Sequence, residues 1–166
     1  METPTAPAPL TVLVVEDNPN DVYIMHWVLR AQDFAYDLQV INNGDHALDY
    51  INQFAHEERS RAPTIVLLDL HLPQVDGKEV LRQIKALPHG ADIPVVIVTS
   101  STNPTDRHES LALGADAYFV KPSDLHEFLW LGEVIKHIVF GTPPSFTQYL
   151  YHLRKAEGGW NGMDPV

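Results

Sequence analysis

The chain has 166 residues, 45% of them hydrophobic, with no cysteine and a formal charge of −11. Length and composition are those of one globular domain with a core of its own. The missing cysteines exclude disulfides, thiol catalysis and thiolate metal sites, and the acidic balance argues against general affinity for nucleic acid or an anionic membrane.

Residues 1–9, Met-Glu-Thr-Pro-Thr-Ala-Pro-Ala-Pro, lack the basic-then-apolar build of a signal peptide and read as a disordered lead-in. No apolar stretch reaches the length of a membrane span, so the expected location is the cytoplasm. Leu10-Thr-Val-Leu-Val-Val-Glu-Asp17 is an apolar strand ending in two acids. Asn18-Pro19-Asn20-Asp21 then starts a helix, with a capping Asn, proline at the first position and an acid in the first turn. Val22, Met25 and Leu29 give it a buried face. Leu38 to Asn42 is a shorter strand, and Asn43-Gly44-Asp45 opens a helix with Ala47, Leu48, Ile51 and Phe54 inward. The charged run 56–61, including His56-Glu57, reads as solvated surface.

Thr64-Ile-Val-Leu-Leu-Asp69 is an uncharged run into a carboxylate, flanked by Pro63 and Pro73, and predicts a strand buried on both faces. After its loop, Asp76 and Glu79 stand in capping-box positions before Val80, Leu81, Ile84 and Leu87 at helical spacing. Pro88 and Gly90 end that helix. Ile93-Pro-Val-Val-Ile-Val-Thr-Ser100 is a strand ending in hydroxyls, and Asn103-Pro104 caps the next helix, which stops at Gly114. Ala117-Tyr-Phe-Val-Lys121 is a strand ending in a lysine, followed by Pro122. A long helix runs from Asp124 to about Phe140, with Leu125, Phe128, Ile135 and Val139 facing the core. Strand and helix alternate five times, which predicts an α/β fold with a five-stranded parallel sheet, doubly wound, over residues 10–141. Residues 142–166 form a C-terminal extension that such a unit does not need.

In an open parallel sheet the ligand crevice lies outside the carboxyl ends of the strands. Those ends deliver Glu16, Asp17, Asp69, Thr99, Ser100 and Lys121. Crowded carboxylates keep one proton between them unless a cation binds, and an all-oxygen set suits Mg²⁺, with Mn²⁺ as a substitute. An aspartate nucleophile, a hard metal and a lysine are the requirements of phosphoryl transfer to a carboxylate.

Leu13-Val-Val-Glu-Asp17, Leu67-Leu-Asp-Leu-His-Leu-Pro-Gln-Val-Asp-Gly77, Pro94-Val-Val-Ile-Val-Thr99 and Gly114-Ala-Asp-Ala-Tyr-Phe-Val-Lys-Pro122 follow one another in the chain. In that order they resemble the receiver domain of two-component response regulators, over about residues 10–140. The resemblance implies a flavodoxin-like strand order 2-1-3-4-5, with Asp69 as phosphoacceptor. It also implies a metal held by Glu16 or Asp17, Asp69 and the backbone carbonyl of His71. Thr99 would be the switch hydroxyl, Lys121 the cation that pairs with phosphate, and Tyr118 the aromatic that moves inward on activation. The Lys121–Pro122 bond would be cis. The His71 side chain is either an exposed loop histidine or one that flanks the path of hydrolytic water. The implied partner is a sensor histidine kinase, and the layout with a C-terminal extension is similar to regulators paired with bacterial phytochromes. With 26 residues after Phe140 there is no room for a DNA-binding helix-turn-helix, so output is expected through protein contacts.

Two other classes fit less well. A phosphohydrolase of the haloacid dehalogenase type would carry a second carboxylate where His71 stands. A flavin binder would need a hydroxyl- and glycine-rich loop where Glu16-Asp-Asn-Pro-Asn20 stands. The last helix also has a broad apolar arc, with Trp130, Leu131, Val134 and Ile138 outside the core-facing stripe. With Phe146, Tyr149, Leu150 and Leu153 in the extension, this arc predicts a second buried surface: a homodimer is the preferred reading, and an extension folded back over the helix of its own chain is the alternative.

Overall fold

The computed structural model describes residues 8–55 and 62–141. Its strands are β1 (Leu10–Val15), β2 (Tyr36–Ile41), β3 (Ile65–Leu68), β4 (Val95–Thr99) and β5 (Ala117–Val120). Its helices are α1 (Pro19–Arg30), α2 (Gly44–Ala55), α3 (Gly77–Ala86), α4 (Pro104–Ala112) and α5 (Leu129–Phe140). All strands pair in parallel in the order β2-β1-β3-β4-β5. The run 56–61, the side chain of Phe54 and the extension with Phe146 and Tyr149 fall outside the described residues.

Side chains along each strand alternate between two cores, as the pleat requires. Leu13, Val15, Val66, Leu68, Val95 and Ile97 meet Ala47 and Ile51 of α2 and Val80, Leu81 and Ile84 of α3. Val12, Val14, Ile65, Leu67, Val96 and Val98 meet Met25, Val28 and Leu29 of α1 and Leu131 and Ile135 of α5. Burial on both faces is why β3 and β4 read as unbroken apolar runs rather than alternating ones.

The helix starts are set by the residues named for them. Asn18 accepts from the Asn20 amide with Pro19 next, Asn43 from the His46 amide, and Asn103 from the Thr105 amide with Pro104 next. Asp76 caps α3 by accepting from the Lys78 amide, but Glu79 turns outward to Arg82 and Gln83, so no reciprocal capping box forms. β2 begins two residues earlier than expected, at Tyr36.

The last helix differs most. Leu125–Phe128 is a 3₁₀ turn begun by Asp124, and α5 starts only at Leu129. The tighter turn rotates Leu125 out of the stripe, leaving it 48% exposed, and turns Leu131 fully into the core. Leu131 is therefore a core residue and not part of a free face. Val134, Ile138 and Val139 pack partly against the same core.

Candidate functional site

The register brings the chemistry together. Val15 lies opposite Leu68, so Glu16 and Asp69 leave the sheet side by side. Thr99 lies opposite Val120, and the Lys121 amide donates to the Thr99 carbonyl at 2.7 Å, which sends Lys121 out next to them. The Lys121 Nζ donates to Glu16 Oε2 at 2.7 Å, Asp21 Oδ2 at 2.8 Å and Asp69 Oδ2 at 3.0 Å. The other Asp69 oxygen, Oδ1, accepts from the His71 amide at 3.2 Å, and Glu16 Oε1 accepts from the Asn18 amide at 3.0 Å. Two glycines let the neighbouring helices close on this loop. A Cβ on Gly77 would lie 2.1 Å from the Asp69 carbonyl oxygen, and one on Gly44 would lie 2.3 Å from that of Val75.

Asp21 was legible only as a helix-start acid. Its one available signal was position: it lies in the first turn of α1, the helix that follows directly on the Glu16-Asp17 strand end.

Burial disfavours the Lys121 ammonium, yet hydrogen bonds to Asp21, Glu16 and Asp69 outweigh it and hold the amine protonated well above the usual lysine range. Burial pushes the Glu16 carboxyl up to about 7, against the Lys121 and Asn18 hydrogen bonds. The ammonium stays charged in either state of Glu16, because Asp21 and Asp69 still face it. The sign of the linkage follows. Native Glu16 holds its proton above its unfolded value of 4.5, so its contribution favours the fold below that pH and is lost as pH rises through about 7.

One oxygen each of Glu16, Asp17 and Asp69 lies within 4.8 Å of the other two, with Asp17 exposed at the rim. Three hard oxygens with an open side fit Mg²⁺ or Mn²⁺ and do not fit zinc. A cation held there, together with the His71 carbonyl, would neutralise charge on a phosphoryl oxygen. Asp17→Asn removes one charged oxygen from this trio. It is expected to weaken Mg²⁺ binding by at least about tenfold, a scale that even the partners of metal ligands command. Calorimetric titration checks this, and an unchanged affinity would assign the metal to Glu16. Mg²⁺ must also displace the Glu16 proton, so wild-type affinity should rise with pH up to about 7.

Thr99 is fully buried. Its Oγ1 accepts from the Ser101 amide at 3.3 Å and lies 3.5 Å from His71 Nδ1, so the His71 ring sits over the hydroxyl. Tyr118, expected to move inward on activation, is already inside at 8% exposure. Its hydroxyl donates to the Ser101 carbonyl at 3.1 Å. The Ser101 hydroxyl donates to Asp106 Oδ2 at 2.5 Å, and Lys78 spans Asp106 Oδ1 and Glu109 at 2.7 and 2.5 Å. An ion pair from α3 thus ties down α4 and, through Ser101, the loop that follows Thr99. None of these tethering residues was singled out in the sequence, since each looks like a surface charge until α3 and α4 are placed together. The Lys121–Pro122 bond is trans, not cis, as are all peptide bonds of the described residues. Trans is the lower-energy form, and the lysine reaches all three carboxylates from it.

These features define a receiver domain, and the chain belongs to the response regulator receiver domain family, whose model matches residues 12–130. It is 35% identical over 119 residues to response regulator Rcp1 of Synechocystis sp., covering 72% of this chain and 81% of that one. Among solved structures it is similar to the phosphorylated cyanobacterial phytochrome response regulator RcpA, with a TM-score of 0.72 and 29% identity, covering 82% of this chain and 97% of that one. The Mn²⁺-bound form of Rcp1 aligns at a TM-score of 0.68 and 33% identity, covering 78% and 93%. The bacteriophytochrome response regulator RtBRR aligns at 0.64 and 32%, covering 90% and 93%. No described helix is long and apolar enough to cross a membrane.

Proposed function

We propose that the chain is a phosphoacceptor switch of a two-component system, modified on Asp69 by a sensor histidine kinase and signalling by protein contact. One observation carries it: Lys121 meets the Asp69 carboxylate at the same sheet edge that holds a metal-ready trio of oxygens. A carboxylate oxygen of Asp69 attacks phosphorus of the donor, and the donor's leaving group departs with the bonding pair. The product is an acyl phosphate. Lys121 pairs with the added phosphoryl oxygens, Thr99 turns its hydroxyl toward them, and His71 stands beside the path by which water would later cleave the bond. Tyr118 and Ser101 carry the movement of Thr99 to α4. Water then hydrolyses the acyl phosphate to the Asp69 carboxylate and inorganic phosphate, and the proposed function needs no chemistry beyond these two steps.

The likeness to RcpA and RtBRR supports a bacterial phytochrome, or a kinase of that kind, as the partner, with the switch acting in the cytoplasm. Treatment of the full chain with acetyl phosphate and Mg²⁺ should add the mass of one phosphoryl group, and chelation of the metal should prevent it. A chain that gains no mass under these conditions, or gains it equally with the metal chelated, does not work this way.

The homodimer is proposed on a smaller face than the sequence implied. Trp130, Val134 and Ile138 remain half-buried on α5 and would pair with Phe146 and Tyr149 of the extension, while Leu131 is withdrawn into the core. Light scattering should show a dimer for the full chain and weaker pairing after truncation at Gly141. A full chain that stays monomeric at high micromolar concentration, phosphorylated or not, excludes it.

A further inference from the structure

The Lys121 ammonium has three protons to donate, and in this structure all three are engaged, by Glu16, Asp21 and Asp69. A phosphoryl group on Asp69 would bring further acceptors to the same nitrogen, so an existing contact must yield. Glu16 is the costly one to release, because it is 1% exposed and its Oε2 would lose its counter-ion out of reach of water, with only the Asn18 amide left to it, on Oε1. Asp21 is the cheap one. Its side chain is 19% exposed, within reach of water, and its Oδ2 keeps a second donor in Asn18 Nδ2 at 3.1 Å. It also sits on the first turn of α1, apart from the trio of oxygens suited to a metal.

We propose that Asp21 competes with the phosphoryl group for Lys121, holding the lysine in its resting position and so setting how readily the modified state forms. Asp21 is a positioning residue in this role, acting through Lys121, and the role rests on the phosphoacceptor function proposed above. A contact present in the resting state alone biases the equilibrium toward rest by its own strength, and its removal must favour the other state.

The test is binding of beryllofluoride with Mg²⁺, followed by calorimetry on the full chain. Asp21→Asn keeps the shape and an acceptor for Asn18 but loses the charge. It should bind beryllofluoride about three- to fivefold more tightly than wild type, the scale of a partly exposed ion pair. Asp21→Ala should gain in the same direction. In the Lys121→Ala background the Asn substitution should gain nothing, because the residue competed for is gone. Unchanged affinity in both Asp21 variants overturns the role. An equal gain with and without Lys121 also overturns it, since Asp21 would then act only as one more negative charge near the anion. A loss of Mg²⁺ affinity matching that of Asp17→Asn would make Asp21 a metal ligand instead. A wild-type chain that binds no beryllofluoride overturns the phosphoacceptor function itself, and the Asp21 role falls with it.

Discussion

Asp69→Asn will take up no phosphoryl group from acetyl phosphate under conditions that modify the wild type. Asp69 is 5% exposed, with one oxygen on the Lys121 ammonium and the other on the His71 amide, and it is the nucleophile in the proposed function. An amide has no anionic oxygen to attack phosphorus, and its nitrogen pair is delocalised into the carbonyl. Asn is nearly the same shape and offers an acceptor to one of the two donors, so the fold should survive while the chemistry is lost. Circular dichroism and thermal melting establish the first point, and intact mass the second. An adduct of the same mass in the variant would move the acceptor elsewhere, and peptide mapping would show whether to Asp17 or to His71.

Lys121→Ala should have the largest effect on the resting protein. Three carboxylates lose their shared counter-ion, and two of them, Glu16 and Asp69, are almost wholly buried. Breaking a buried ion pair from one side costs about 3–5 kcal/mol. The lower end is expected here, about 3 kcal/mol, because the carboxyls can relieve their repulsion by taking up a proton. For a domain of this size that lowers the melting temperature by about 10 °C. The pH dependence has a definite sign. Glu16 is already raised to about 7 by burial with the lysine beside it, and loss of the lysine removes what held it down, so the variant is least affected near pH 5 and loses more as pH rises past 7. Mg²⁺ should restore part of the loss by replacing the missing positive charge. Equal melting of variant and wild type at pH 8 without metal would rule out this account. The same variant should still be phosphorylated, but with a smaller response in α4, read as amide exchange with and without beryllofluoride. Equal responses would mean that Lys121 does not carry the switch.

Much of this was legible because a parallel sheet sends every strand's carboxyl end to one edge. Once Leu10–Val15, Ile65–Leu68, Val95–Thr99 and Ala117–Val120 are recognised as buried strands, Glu16, Asp69, Thr99 and Lys121 must gather there. The capping asparagines, two of them followed by proline, marked three helix starts by local hydrogen bonding, which depends on neighbours in the chain alone.

Local pattern alone thus set the alternation, the doubly wound sheet and the residues at its edge, since periodicity and helix caps are short-range properties. How those residues are shared depended on long-range packing. Asp21 became the third acceptor on Lys121 because folding brings the first turn of α1 against the end of β5, a hundred residues away in the chain. Lys78 became a tether for α4 because α3 and α4 lie side by side. A 3₁₀ turn of four residues before α5 put Leu125 outside and Leu131 inside, since changing the residues per turn rotates every side chain beyond it. Tyr118 was legible as a strand aromatic. Its inward position depends on the Ser101 carbonyl waiting across the loop, and such a contact exists only once the chain has folded.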